Sequence, residues 1–299
     1  MIISIIGTNG LLANEIGLFC NKNNFSVISY GRRRPTVHKF DEFIILDLEK
    51  EEIDIDKLSE SDVIIYVSGA GIQSNIKYSF QSIYNLNTYI PISISKKLSN
   101  LKYQGIFITF GTYFEIGNNS KSTLFSENEV AMSTLNVPND YCVSKRLLTR
   151  FVISSTQSYK HLHFLLPTIY GEREAEHRLV PYMINSIKKK ESMQFTSGKQ
   201  IRQYLYAGDV PRIIFELLPL LNERIYNLSG IETYSVRDIV EKVCEFYSID
   251  TNNDLFGKAE RADAGMQNLQ LDGTLVKKIL PDFNYTTFSE TLKLYDKCP

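Results

Sequence analysis

The chain has 299 residues, 43% apolar and 22% charged, the balance of an ordinary soluble globular protein with enough length for one large core or two joined lobes. Its 33 basic and 34 acidic side chains give a formal net charge of -1, without the basic excess of a general nucleic-acid binder. No apolar run reaches the roughly 18–20 residues that span a bilayer, so neither a nucleic acid nor a membrane is expected as a partner.

The start, MIISIIG, lacks the basic opening and small-residue cleavage site of a signal peptide and reads as a first buried strand. Residues 25–30, 43–46, 63–67 and 105–110 are similar short runs rich in Ile, Val, Phe and Tyr. Strands covered on both faces read this way, because helices pack on each side of a parallel sheet. Between them lie helical stretches at 11–21, 80–100 and 141–158, the last with Val143, Leu147, Leu148, Phe151 and Val152 on one stripe. A strand at 162–166 follows. The β-α-β-α order predicts an α/β fold with a doubly wound parallel sheet.

After Pro167 the texture changes. A helix is expected at 181–190, a strand at 202–206, a helix at 210–221, a strand at 226–228 and a helix at 235–247. Ser235 with Asp238 three residues on resembles a capping box. The expected division is a dinucleotide-binding domain at 1–166, rejoined by 201–228, with 167–200 and 229–299 forming a smaller α/β lobe for substrate. Cys20, Cys142, Cys244 and Cys298 are scattered without a C-x-x-C pair. They read as free thiols of a reducing cytoplasm, with no metal site.

Gly7-Thr8-Asn9-Gly10-Leu11-Leu12-Ala13 lies where the first strand turns into the first helix. Glycine permits the tight turn, and the helix start offers unpaired N–H groups to a pyrophosphate. The strict G-x-G-x-x-G is absent, with Ala13 at the third glycine position. The second strand ends Ser29-Tyr30-Gly31-Arg32-Arg33-Arg34, without the carboxylate that bonds the ribose hydroxyl of NAD. A guanidinium at Arg32 suits a 2′-phosphate, so NADP(H) is the preferred cofactor and NAD(H) the possible one. Asp47 and Leu48, after the third strand, are placed to reach the adenine edge.

Tyr141 and Lys145 stand four residues apart, on one face of a helix. A free phenol titrates near ~10, and a neighbouring ammonium lowers that value. The same phenol can donate its proton when the reaction runs as a reduction. Thr112, after the fifth strand, offers a hydroxyl to a substrate oxygen beside it.

With these residues in order, the sequence resembles the extended short-chain dehydrogenase/reductase family, and within it the nucleotide-sugar epimerases, dehydratases and reductases. Further shared segments are 62–71, Asn85-Leu86-Asn87, Pro167-Thr168-Ile169-Tyr170-Gly171, 202–210 and Tyr226-Asn227-Leu228-Ser229-Gly230. The resemblance implies a Rossmann domain and hydride transfer between a nicotinamide and a sugar carbon, usually C4. Tyr141 would be the acid/base, Lys145 would lower its pKa and bind the nicotinamide ribose, and Thr112 would orient the sugar oxygen. Asn87 matches the family asparagine near the cofactor. Arg178, Arg202 and Arg261 match positions that meet the nucleotide diphosphate.

Departures from the family pattern narrow the activity. The 4,6-dehydratases follow the hydroxyl residue with Asp and Glu, where this chain has Tyr113 and Phe114. The GDP-fucose-synthase branch uses Cys and His, where this chain has Phe114 and Arg178. The expected activity is an NADPH-dependent reductase of a 4-keto-6-deoxy nucleotide sugar in surface-polysaccharide sugar biosynthesis. The alternatives are an NAD(P)-dependent 4-epimerase and a non-catalytic NADP-sensing module. The resemblance also implies a cytoplasmic homodimer paired through the helices at about 80–100 and 141–158.

Overall fold

The apolar runs become strands, buried from both sides except at the edge strand over 42–45, where Ile45 is exposed. In a computed structural model that describes residues 1–71, 76–251, 253–258 and 265–297, the runs form β1 (Ile2–Ile6), β2 (Ser26–Gly31), β3 (Glu42–Ile45), β4 (Val63–Tyr66), β5 (Ile106–Thr112) and β6 (Lys160–Leu166). With β9 (Ile225–Asn227) they make one seven-stranded parallel sheet in the order β3-β2-β1-β4-β5-β6-β9. Alternate side chains feed two cores. Ile3, Ile5, Val63, Ile65, Ile108 and Phe164 face helix α1 (Leu11–Lys22) and helix α8 (Asp209–Leu217). Ile6, Ile64, Tyr66 and Phe107 face helix α2 (Ile55–Ser59) and helix α4 (Ile90–Asn100). This two-sided burial is the doubly wound α/β architecture expected from the sequence.

Strand order reverses between β1 and β4. In such sheets the ligand crevice opens past the carboxyl ends of the strands at that point. Here the ends carry Gly7 after β1, Ser68 to Gly71 after β4, and Thr112 at the end of β5.

Past β6 the chain builds a second sheet from β7 (Thr168–Tyr170), β8 (Ile201–Tyr206), β10 (Glu232–Ser235) and β11 (Asn268–Leu269). Strand β8 is central: β10 runs antiparallel on one side, while β7 and β11 run parallel to it. Helices α7 (Leu179–Lys189), α9 (Val236–Phe246) and α11 (Phe288–Tyr295) close a separate core containing Met183, Tyr204, Ile239, Val243 and Phe288. Ser235 and Asp238 make the expected capping box, each side chain accepting from the other's backbone N–H.

Several boundaries depart from the expected ones. The stretch 80–100 is interrupted: α3 (Phe80–Tyr84) passes into a π-helical turn, Asn85–Tyr89, before α4. Asn87 is wholly buried in that turn. Helix α6 (Asp140–Ser154) stops short of 158, since Ser155 is extended. Helix α8 ends at Leu217, two residues before Pro219. Of the stretch 201–228, the first strand does not rejoin the large sheet. Strand β8 pairs within the small sheet, and only α8 and β9 return. Conversely, α10 (Thr274–Ile279), placed by sequence in the small lobe, packs Val276 into the large core. Cys20, Cys142 and Cys244 are buried, and Cys298 lies outside the described residues. Among the described residues no helix is long and apolar enough to cross a membrane.

Candidate active site

The turn after β1 is built from contacts that only glycine permits. Gly7 has φ +108°, and a Cβ there would lie 2.8 Å from Ser68 Oγ. Gly31, at the end of β2, presses against Thr8, whose side chain would stand 2.7 Å from an added Cβ. Gly10 begins α1 with no side-chain cap, and a Cβ there would meet nothing within 4 Å. The first N–H groups of α1 thus have no side-chain cap from Gly10.

Asn9 fastens this turn to the basic loop. Its Nδ2 donates to the carbonyls of Arg34 at 3.2 Å and Arg33 at 3.4 Å. Arg34 lies 5.7 Å from the centroid of the Phe43 ring, while Arg32 is exposed and acts on the charge of Asp47. Asp47 itself closes a turn, accepting from Glu49 N at 3.2 Å and pairing with Lys50 at 3.3 Å. Leu48 packs at the edge of the α2–α4 core. A glycine turn and an uncapped helix start fit a dinucleotide.

Thr112 is the last residue of β5, rather than part of the following loop. It caps a short 3-10 turn, Tyr113–Ile116. Helix α6 starts at Asn139, whose Oδ1 accepts from Cys142 N at 3.1 Å. Its first turns carry Tyr141 and Lys145 to the end of β5, where Lys145 Nζ donates to Phe110 O at 2.9 Å. Tyr141 is 9% exposed, and the Thr112 hydroxyl acts on its phenol. The structure thus brings Thr112, Tyr141 and Lys145 together.

The balance on the phenol is opposite to the lowering expected from spacing. Burial pushes Tyr141 above its ordinary value, and Cys142 and Glu115 add to that. The Thr112 hydroxyl and the Arg178 guanidinium act the other way without reversing it. Spacing reported a nearby cation; it could not report the cost of removing a phenolate from water.

Asn87 does not present its amide to the crevice. Oδ1 accepts from Ala70 N at 2.9 Å, and Nδ2 donates to Ala70 O at 2.8 Å and Ser144 Oγ at 3.0 Å. It ties the loop after β4 to α6, one residue from Lys145, and the π-turn is what brings this amide inward.

The arginines divide. Arg178 begins α7, is held by Glu174 at 3.2 Å, and reaches Tyr141 with its charge. Arg202 is 5% exposed on β8 and donates from Nη1 to Ile201 O at 2.9 Å and Met266 O at 2.8 Å. Arg261 lies outside the described residues.

Sequence reasoning passed over two side chains. Arg146 clamps the 3-10 turn, donating from Nε to Glu115 O at 2.7 Å and from Nη2 to Ile116 O at 3.1 Å. Glu115 is wholly buried beside Lys145, its Oε1 accepting from Thr112 N at 2.8 Å. The signal was present: Thr112-x-x-Glu115 is a capping-box pattern. Among the described residues no group of three or more His, Cys, Asp or Glu side chains could hold a metal ion.

A parallel sheet with a glycine turn after its central strand, and a buried tyrosine with a half-buried lysine on the helix beside it, define a dinucleotide-dependent oxidoreductase. The sequence model of the NAD dependent epimerase/dehydratase family matches residues 3–229, and the chain belongs to that family. CDP-abequose synthase of Salmonella muenchen is 23% identical over 170 residues, 55% of this chain and 53% of that protein. The chain thus spans about half the length of that relative. MoeE5 in complex with UDP-glucuronic acid and NAD superposes with a TM-score of 0.81, at 15% identity over 98% of this chain and 97% of the other. UDP-glucuronic acid 4-epimerase of Bacillus cereus, with UDP-glucuronic acid and NAD, gives 0.80 at 18% identity over 99% of both chains. At these identities the structures speak for the fold.

Proposed function

We propose that the protein is an NADPH-dependent reductase of a 4-keto-6-deoxy nucleotide sugar, with Tyr141, Lys145 and Thr112 at the reacting carbon, acting in surface-polysaccharide sugar biosynthesis. The observation that carries this reading is the placement of a buried Tyr141 on α6, with Lys145 tied to the end of β5 where Thr112 stands, in a setting whose burial favours the protonated phenol. A reductase needs a proton donor at the ketone oxygen; an oxidation-first epimerase begins with a base. A nucleotide-sugar substrate is supported by the CDP-linked sugar in the name of the Salmonella relative and by UDP-glucuronic acid in the two related structures.

The dinucleotide would sit on the 7–12 turn, with Arg32 at its ribose, and when bound it supplies the hydride. Tyr141 gives its proton to the oxygen that becomes the C4 hydroxyl. Thr112 orients that oxygen by a hydrogen bond. The Lys145 ammonium stabilises the phenolate left behind until solvent returns the proton. Arg178, at the mouth of the small lobe, and Arg202 would meet the diphosphate, making that lobe the substrate-binding one.

Purified protein mixed with NADPH and 4-keto-6-deoxy nucleotide sugars should oxidise the cofactor stoichiometrically with product. Interconversion of 4-hydroxyl epimers without net oxidation would replace this reading with the epimerase. Arg32→Asp should lower kcat/KM for NADPH about 10- to 100-fold relative to NADH, the range of a lost charge-assisted phosphate bond. An unchanged ratio would mean that the loop does not read the 2′-phosphate.

A further inference from the structure

Thr112 and Tyr141 reach the site on separate stretches of chain, and something has to set one against the other. Thr112 ends β5, and its hydroxyl oxygen accepts from Phe114 N at 3.3 Å, a bond made by the 3-10 turn that follows. That bond takes one lone pair of the oxygen and leaves the O–H and the other lone pair for a substrate oxygen. The aim of the hydroxyl therefore follows the position of the turn. Tyr141 stands on α6, at the end of a long connection.

Arg146 joins the two. It follows Lys145 on α6 and is half-buried against the carbonyl end of the turn. Its Nε donates to Glu115 O at 2.7 Å, 31 residues earlier in the chain, and its Nη2 donates to Ile116 O at 3.1 Å and Ser133 Oγ at 3.3 Å. Ser133 Oγ in turn donates to Ile116 O at 2.6 Å. The last carbonyls of a helical turn have no donor within it. A planar guanidinium fork meets two successive carbonyls at once, which an ammonium on a flexible stem does not. The backbone makes room for the fork: Gly117 has φ +89°, and a Cβ there would lie 2.7 Å from Arg146 Nη2 and 2.8 Å from Asn136 O. A neighbouring tie to β5, from Lys145 Nζ to Phe110 O at 2.9 Å, occupies the ammonium that the reaction needs. Arg146 holds the turn without drawing on it.

We propose that Arg146 is a positioning residue for the reduction: by fastening the end of the Tyr113–Ile116 turn to α6, it sets the Thr112 hydroxyl against the Tyr141 phenol so that both meet one substrate oxygen. This rests on the reductase reading and deepens it. Arg146 acts through Thr112 rather than on the substrate. A displacement of about 1 Å between groups that serve one reacting oxygen costs on the order of 10²-fold in rate, so a brace on their spacing bears on kcat rather than on cofactor binding.

Arg146→Lys keeps the charge and loses the fork. With NADPH and a 4-keto-6-deoxy nucleotide sugar, its kcat should fall about 10- to 100-fold, with the KM for NADPH unchanged. The deciding measurement is the same change made in Thr112→Val protein. With the hydroxyl gone, Arg146→Lys should cost less than about threefold, because a residue that acts through another adds little once that other is removed. An equal loss in both backgrounds, or no loss in either, overturns the proposal. Hydrogen exchange of the Phe114 N–H, followed by NMR on substrate-free protein, reads the brace without turnover. It should run about tenfold faster in Arg146→Lys, and unchanged exchange overturns the proposal. Faster exchange, with a wild-type protein that turns over no keto sugar, overturns the reductase reading and leaves the brace standing. If Arg146→Lys does not fold, Ser133→Ala takes its place, removing one acceptor of Nη2 and a donor to Ile116 O. Its kcat should fall about fivefold when Thr112 is present and not in Thr112→Val; a loss equal in both overturns the proposal.

Discussion

Tyr141→Phe is expected to lower kcat by about 10²- to 10⁴-fold, the contribution of a positioned general acid. At about 1.36 kcal/mol per factor of ten, that is roughly 3–5 kcal/mol of transition-state stabilisation. The change removes one oxygen and little else. The ring is packed beside Gly71, where an added Cβ would lie 3.3 Å from Tyr141 Cβ, so the site keeps its shape. Within the protein the change removes the hydroxyl on which Thr112 acts. Cofactor affinity, followed by fluorescence titration, should therefore change little while turnover collapses. Turnover near the wild-type value would overturn the acid role. A wild-type protein without turnover, whose cofactor-dependent response survives Tyr141→Phe, would favour a sensing module.

How much of this was legible beforehand depends on the range over which each feature is determined. The strands were legible because two-sided burial writes itself as unbroken apolar runs, such as Ile2 to Ile6 and Val63 to Tyr66. The helix ends were less so. The stop of α6 at Ser154 and the π-turn at Asn85 are set by what they pack against, and Asn87 turns inward for Ala70 and Ser144, 17 and 57 residues away. The return of α10 to the large core was invisible for the same reason: its short sequence, Thr274–Ile279, carries no signal of which core takes Val276. At the site, the residue types and their spacing identified Thr112, Tyr141 and Lys145. The sign of the shift on Tyr141 was not legible, since it is set first by burial in the assembled fold, with the charge of Glu115 added to it. Glu115 could have been read from its capping pattern. Its burial against Lys145 could not, because that requires β5, β6 and α6 to be assembled.

Arg202→Ala should separate a structural role from a binding role, with a large effect on the first. The guanidinium lies inside the small sheet, where Arg202 pairs in register with Tyr234 on β10 and Leu269 on β11. Its Nη1 satisfies Met266 O, on the segment leading into β11, as well as Ile201 O. Alanine leaves both carbonyls without that charged donor in a buried setting, a loss of about 2–4 kcal/mol. Thermal denaturation should register it as a clear drop in the melting transition. If the same guanidinium also meets the diphosphate, a saturating nucleoside diphosphate should stabilise the wild-type protein more than the variant, because only ligand bound to the folded state shifts the transition. The KM for a nucleotide sugar, measured below the variant's transition, should then rise about 10- to 100-fold. A lowered transition with undiminished ligand stabilisation and an unchanged KM would remove Arg202 from the binding site. The diphosphate would then fall to Arg178, which stands at the crevice, is paired with Glu174, and already places its charge on Tyr141.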